Sequence, residues 1–399
     1  MKLETVDSYR LFDQKVIAGR TLAVWITHKI QDQCWDRFLE GTPLGQFQQS
    51  SLWAAAKSTE GWLPIRVVLT LDDEIAGGFQ ILHKSKWWGH AGYLSKGPVV
   101  LPEPGLGDFA PLILKRVCRH ERLRLLVIQP PDASEPQTMT LDEGNQFDLL
   151  VPSSVIDATL VIDLREGFEA VKQRMRKVTH QQVKQAIKRG ITVREGRRDE
   201  LETFFTMMLE TCRRQEETPN PARIEHFQAL AGAPGGAERI RIFFAEFEGK
   251  PLSGILYVAF GKTLNMWRRG WDDVERNRHP NDLAVYEGIR WAHENGFDCF
   301  DFCGLDRKIA VTLLSGEPLT AEQMRSRHLF HIRLGGEPRL LPEARVHLPN
   351  PLLRLAYRMW FSRKLAQARK DNQVAAEARR SGRKREQAAE LPKRSRECA

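Results

Sequence analysis

Residues 279–304, HPNDLAVYEGIRWAHENGFDCFDFCG, constrain the fold of this chain more than any other stretch, because they spell a helix, a stop and a strand in succession. Pro280 suits a first helical turn, where a missing N–H is no loss. Val285, Ile289 and Ala292 recur at helical spacing, and Asn295-Gly296 ends the helix with a residue tolerant of positive φ. The period then changes to two, with Phe300 and Phe302 on one face of a strand and Cys299, Asp301 and Cys303 on the other. Gly304 allows a turn or a close approach by a ligand. The stretch is one α/β unit with a carboxylate near its polar tip.

A similar order occurs twice. In the first half, hydropathy predicts a strand over 22–27, a short helix over 51–58 and a hairpin of 65–71 with 75–83 about Asp72-Asp73-Glu74, then a helix over 112–121 and a strand over 123–129. In the second, helices are expected over 166–189 and 200–217, followed by a hairpin of 239–246 with 252–260 about Glu248-Gly249-Lys250-Pro251 and a strand over 263–268. The α/β unit described above then closes this half. Hairpin, helix and strand in that order predict mixed sheets with helices on their faces rather than a purely parallel doubly wound fold. A length of 399 residues suits two or three such domains.

Several function classes are disfavoured. The six cysteines (Cys34, Cys118, Cys212, Cys299, Cys303, Cys398) form no CxxC pair and have no histidine at zinc spacing, so no metal site is expected. Neither GxGxxG nor GxxxxGK[ST] occurs, which argues against dinucleotide or nucleoside-triphosphate use. The first residues carry acids and lack an apolar signal core, and no apolar run approaches membrane-span length. A cytoplasmic protein is expected, with association to the inner membrane face left open. Residues 363–399 hold 12 Lys/Arg and 5 Asp/Glu, a net of +7 within a chain total of +9. That tail has too few apolar residues for a core and is expected to be helical or disordered; RNA, anionic lipid or no ligand at all are its alternatives.

The blocks FQQSSLW through Lys57 and Gly61-Trp62, YLSKGPV at 93–99, residues 175–191, Thr211-Cys212-Arg213-Arg214, the 279–304 unit and FHIRLGG at 330–336 together resemble the FemAB family, in the family's order, over roughly residues 20–345. The resemblance implies an α/β fold of two tandem GNAT-like domains with mixed sheets. It places domain 1 at residues 1–155, completed by 325–362, and domain 2 at 156–325, which leaves the basic tail read from charge at 363–399. It also implies transfer of an amino acid from aminoacyl-tRNA to an amine of a peptidoglycan or other lipid- or glycan-linked precursor, with no tightly bound cofactor. Relatives of the fold use acyl-CoA, so an acyl-CoA-dependent N-acyltransferase is the alternative donor reading. The pyrophosphate loop of ordinary GNAT enzymes, Q/R-x-x-G-x-G/A, is not found. A non-catalytic RNA- or membrane-binding protein of the same fold is the alternative of another class.

Candidate residues follow from the chemistry and from the resemblance. An amine attacking a carbonyl generates an oxyanion, so donors or positive charge and a route for the amine proton are needed. Arg268 and Arg269 are expected at the end of a strand, where they either grip a phosphate, a carboxylate or tRNA or stand solvated at an exposed strand end. The resemblance implies that Lys57 contacts the precursor's phosphates and that Arg214 is the family's TxxR arginine. Two positions depart from the family. Gln129 stands where an acid often precedes proline, and it cannot serve as a carboxylate base. His331 stands where the FK-x-x-FGG block has its lysine, and is either a retuned catalytic group that titrates near neutrality or a hydrogen-bonded strand histidine. Asp301 either accepts an amine proton or caps a turn, and Asp306 is expected to cap a loop. The basic run 165–198, with eleven Lys/Arg against three acids, offers a tRNA or phosphate surface. Residues 351–365 either lie on an anionic membrane or dock an apolar stripe onto the body.

Overall fold

A computed structural model describes residues 8–132, 149–151, 156–374 and 376–378. The chain builds two mixed sheets. The first runs, from edge to edge, Arg10–Ile17, Arg20–Thr27, Leu63–Leu71, Glu74–Lys86, Gly89–Ser95, Leu123–Gln129, Arg345–His347 and Leu149–Leu150, with Val99–Val100 paired to Glu74–Lys86. The second runs Thr192–Glu195, Ile240–Phe247, Lys250–Phe260, Thr263–Trp271, Cys299–Asp301, Ala158–Asp163 and Glu337–Leu340. In each, an antiparallel hairpin leads to a further antiparallel strand, a helix and a parallel strand.

The layers explain the composition of the strands. Leu63–Leu71 is buried on both faces: Val67 and Leu69 pack toward the helix Leu106–His120, whereas Val68 joins a core between the sheets. A strand covered on both sides reads as a continuous apolar run. The core between the sheets draws Trp35, Phe38, Phe47 and Leu52 from the first half and Leu201, Phe204, Phe227 and Leu256 from the second. The far face of the second sheet is covered by the helices Lys177–Lys188 and Pro280–Glu294. Both halves therefore share one hydrophobic interior.

An anchored arginine organises the first half. Arg66, with 0% of its side chain exposed, donates to the Lys29 and Ile30 carbonyls at 3.1 Å, to Asp32 at 3.2 Å and to Gln80 Oε1 at 2.5 Å. Asp32 also caps the helix Gln33–Glu40 through the Trp35 N–H. That short helix is not evident from hydropathy alone.

Four details differ from the sequence expectations. The helix expected over 166–189 is two, Phe168–Arg174 and Lys177–Lys188, because Met175 is buried and the Arg176 N–H leaves the helix for the Arg333 carbonyl at 2.9 Å. The helix expected from 112 begins at Leu106 and continues through Pro111. The strand expected over 263–268 continues to Trp271, so Arg268 and Arg269 lie within it and not at its end. The chain also returns to the first sheet later than residue 325: Glu337–Leu340 still pairs with Ala158–Asp163 of the second sheet, and Arg345–His347 is the segment that pairs with Leu123–Gln129.

Candidate active site

The two parallel strand pairs differ in one respect. In the first half, Gly89–Ser95 and Leu123–Gln129 stay paired from His90↔Leu123 to Ser95↔Gln129. In the second, Thr263–Trp271 and Cys299–Asp301 pair only from Thr263↔Cys299 to Asn265↔Asp301. Beyond that point the strands separate. On one side, Tyr257↔Met266 is followed by Leu256↔Arg268, which leaves Trp267 as the extra residue of a β-bulge. On the other, the Phe302 and Leu305 N–H groups bond the Leu160 and Ala158 carbonyls at 3.0 and 2.9 Å, drawing the chain toward Ala158–Asp163. Cys303, at φ 58, makes the turn.

The gap is a cleft of about 1050 Å³, walled by Met266–Arg269 and by Phe302–Asp306, with His328 and His331 also lining it. Arg268 is held by the Asn220 carbonyl at 2.5 Å and the Trp267 carbonyl at 2.7 Å, with its guanidinium 4.5 Å from the Trp267 ring centre. Arg269 lies 5.0 Å from the Phe330 ring centre. Burial lowers both guanidinium pKa values to about 10, and for Arg269 the Asp282 carboxylate opposes that shift. Both therefore remain cationic at neutral pH. Asp282 itself is engaged by Arg333 at 2.7 Å.

His331 belongs to a short helix, His328–Ile332, and not to a strand. Its ring stacks on Phe302 with centroids 4.8 Å apart, and neither ring nitrogen has a hydrogen-bond partner among the described residues. Burial, with Arg269 and His328 adding to it, holds its pKa well below the usual histidine value. The imidazole is neutral at pH 7 and does not titrate near neutrality as its residue type suggests.

Asp301 stands beside this cleft and not in its lining. Its Oδ1 accepts from Thr159 Oγ1 at 2.5 Å and from the Cys303 N–H at 2.7 Å. Burial raises its pKa to about 6. Asp306 caps the helix Arg307–Ser315 by accepting from the Lys308 and Ile309 N–H groups. Gln129 is buried and does not line the cleft; it donates to the carbonyl of Ile156, a lining residue, at 2.7 Å and to the Pro342 carbonyl at 3.4 Å, which ties together two segments that pass between the sheets.

The two cations carried over from the resemblance lie at the periphery. Lys57 pairs with Glu60 at 3.0 Å and lies 5.1 Å from the Trp53 ring, which meets Trp267 edge-on at 5.6 Å. Arg214 is exposed at the end of the helix Leu201–Arg214, where it donates to Thr211 Oγ1 at 3.3 Å and to the Trp271 carbonyl. The structure thus gathers Arg268, Arg269 and His331 in one cleft, while Lys57, Arg214, Asp301 and Gln129 surround or support it. Sequence reading missed Trp267, Phe302 and His328. The only hint was a tryptophan in front of two arginines on a strand.

Beneath Lys57, His226 is 1% exposed and its Nδ1 lies 2.7 Å from Glu60. Burial, and then the charge of Lys57, lower its pKa to about 4, and Glu60 only partly opposes them. The native state resists a proton that the unfolded chain accepts, so stability is present above the unfolded value near 6.5 and is lost as pH falls toward 4. The slope expected from this group is up to about 1.4 kcal/mol per pH unit in that window. Urea titrations of wild type and His226→Gln should therefore converge on acidification. A gap that stays constant with pH would show that His226 is not held neutral. Asp36 and Asp301, both raised to about 6, act in the opposite direction, and taking the difference between the two proteins removes their contribution.

Residues 173–308, the half that contains the open cleft, match a family described as acetyltransferase (GNAT) domain. The chain is 28% identical over 294 residues to a UDP-N-acetylmuramoylpentapeptide-lysine N(6)-alanyltransferase of Weissella viridescens, covering 68% of this chain and 83% of that protein. It is 26% identical over 240 residues to a lipid II:glycine glycyltransferase of Staphylococcus saprophyticus, covering 56% of each. Among solved structures, that of FemX aligns with a TM-score of 0.67 at 19% identity, over 83% of this chain and 99% of that one, a likeness of fold.

Proposed function

We propose that this chain, a FemAB-family acyltransferase with the GNAT-like fold, transfers an amino acid from aminoacyl-tRNA to an amine of a peptidoglycan or other glycan-linked precursor. The observation that carries the reading is the cleft between Met266–Arg269 and Phe302–Asp306, where the parallel strands of the second half part, whereas those of the first half stay paired to Ser95↔Gln129. A neutral amine attacks the ester carbonyl, forming the C–N bond and a tetrahedral oxyanion. The C–O bond to the tRNA ribose then breaks, and the amine proton leaves, by way of solvent, for the ribose oxygen. Arg269 supplies fixed positive charge for the oxyanion, and His331 supplies a neutral N–H donor. A neutral imidazole of depressed pKa suits hydrogen-bond donation better than proton removal. Asp301 is assigned to holding the turn at Cys303 that keeps the cleft open.

Positive charge next to the cleft supports a tRNA donor. Lys177, Lys184 and Lys188 are exposed and fall within about 40° on one face of the helix Lys177–Lys188. The same helix begins against the Arg333 carbonyl, just after His331. Its stripe can meet a phosphate backbone next to the cleft. Much of the remaining basic run is engaged: Arg165, Lys172, Arg174, Arg194 and Arg197 pair with acids. Changing all three lysines to Glu is expected to raise KM for charged tRNA at least about tenfold and to flatten its salt dependence. Equal KM values would remove the stripe from donor binding. The decisive test supplies the purified protein with charged tRNA or acyl-CoA and a panel of precursor amines, and reads the mass increment of the amine. An increment with acyl-CoA alone would install the other donor, and none with any pair would reject transfer.

A further inference from the structure

A terminal helix leaves apolar side chains in water. Pro351–Trp360 contains no buried residue. One face does meet the body: Tyr357 packs against the cluster of Leu149, Val346 and Leu348 and donates to the Leu150 carbonyl at 2.9 Å, and Leu365 is buried. The opposite arc carries Leu352, Leu355, Met359 and Trp360, which are 74%, 57%, 64% and 82% exposed. Docking onto the body therefore accounts for only half of this helix.

Two further observations specify the occupant. Residues 351–370 hold six Lys/Arg and no Asp or Glu, and Arg363, Lys364, Arg369 and Lys370 are exposed. The sheet register also places a second apolar element at the same end of the molecule. His347 and Gly92 are both level with Leu126, so the chain entering the helix at Asn350 comes level with the start of Gly89–Ser95. That strand follows the hairpin tip Trp87-Trp88, where Trp87 is 96% exposed. The two elements stand two strands apart, roughly 10 Å across the sheet.

We propose that the outward face of Pro351–Trp360, assisted by the Trp87-Trp88 tip, is a docking surface for an anionic lipid bilayer. Apolar side chains on one arc, flanking cations, no acids and exposed tryptophans are the requirements of a helix lying in the headgroup region. The proposal does not depend on the acyl-transfer reading, since it concerns binding alone.

The test is sedimentation of the full chain with vesicles of phosphatidylcholine, or of phosphatidylcholine and phosphatidylglycerol mixed about two to one. The wild type is expected to pellet with the mixed vesicles. Leu355→Glu combined with Met359→Glu should lower the partition coefficient at least about tenfold with the melting temperature unchanged, and Leu352→Ser with Trp360→Ser should act in the same direction. Removing residues 379–399 should leave most of the binding. No pelleting with anionic vesicles, or equal pelleting by both double variants, would overturn the proposal. So would complete loss on removing 379–399, which assigns binding to the tail. A lipid-indifferent dimer that the Glu variant converts to monomer would assign the face to a second copy.

Discussion

Arg269→Met is expected to lower kcat/KM about a hundredfold, or about 2.7 kcal/mol of transition-state stabilisation, without loss of folding stability. Among the described residues Arg269 has no ion-pair partner, and burial already disfavours its charge. Methionine of similar reach removes that penalty, so the melting temperature should hold or rise. His331→Phe makes the same point by a different route. The stack on Phe302 is retained and two ring nitrogens without a hydrogen-bond partner among the described residues are removed, so stability should again hold while turnover falls. Lost activity with unchanged stability is the signature of a group kept for chemistry. If either variant turned over like wild type, that residue would leave the mechanism; if both did, the cleft would not be the reaction site.

Arg66→Met should have the opposite signature, with a loss of about 3–5 kcal/mol in urea titration. The guanidinium is the common partner of Asp32, two backbone carbonyls and Gln80. Without it those acceptors remain buried and unmatched, and Asp32 becomes a buried carboxylate without its counter-charge. Removing Asp32 as well should not restore stability, because Asp32 also caps the helix Gln33–Glu40. A destabilisation below about 1 kcal/mol would mean that water reaches these groups in place of the arginine.

Much of the fold was legible in the sequence. The helix Ser51–Ser58 and the strand Leu123–Gln129 have the bounds that hydropathy predicts, since each sits between clear turn signals. The helix Pro280–Glu294 and its following strand lie where proline, period and glycine place them. The break at Met175 was not legible, because it depends on the Arg333 carbonyl, far away in the chain. His331 was visible as a departure from the family block. Its neutrality was not, because that comes from burial against Phe302 and the neighbouring charge of Arg269.

Local sequence determined two successive hairpin, helix and strand units and a basic end, because turn chemistry and hydrophobic period act over a few residues. Tertiary structure decided which unit opens. The first parallel pair stays closed to Ser95↔Gln129 and the second parts after Asn265↔Asp301, where Leu160 and Ala158 capture the backbone of Phe302 and Leu305. Backbone groups bond whichever partner the fold brings near, and that choice, absent from any single segment, turned two strand arginines and a histidine into the walls of one cleft.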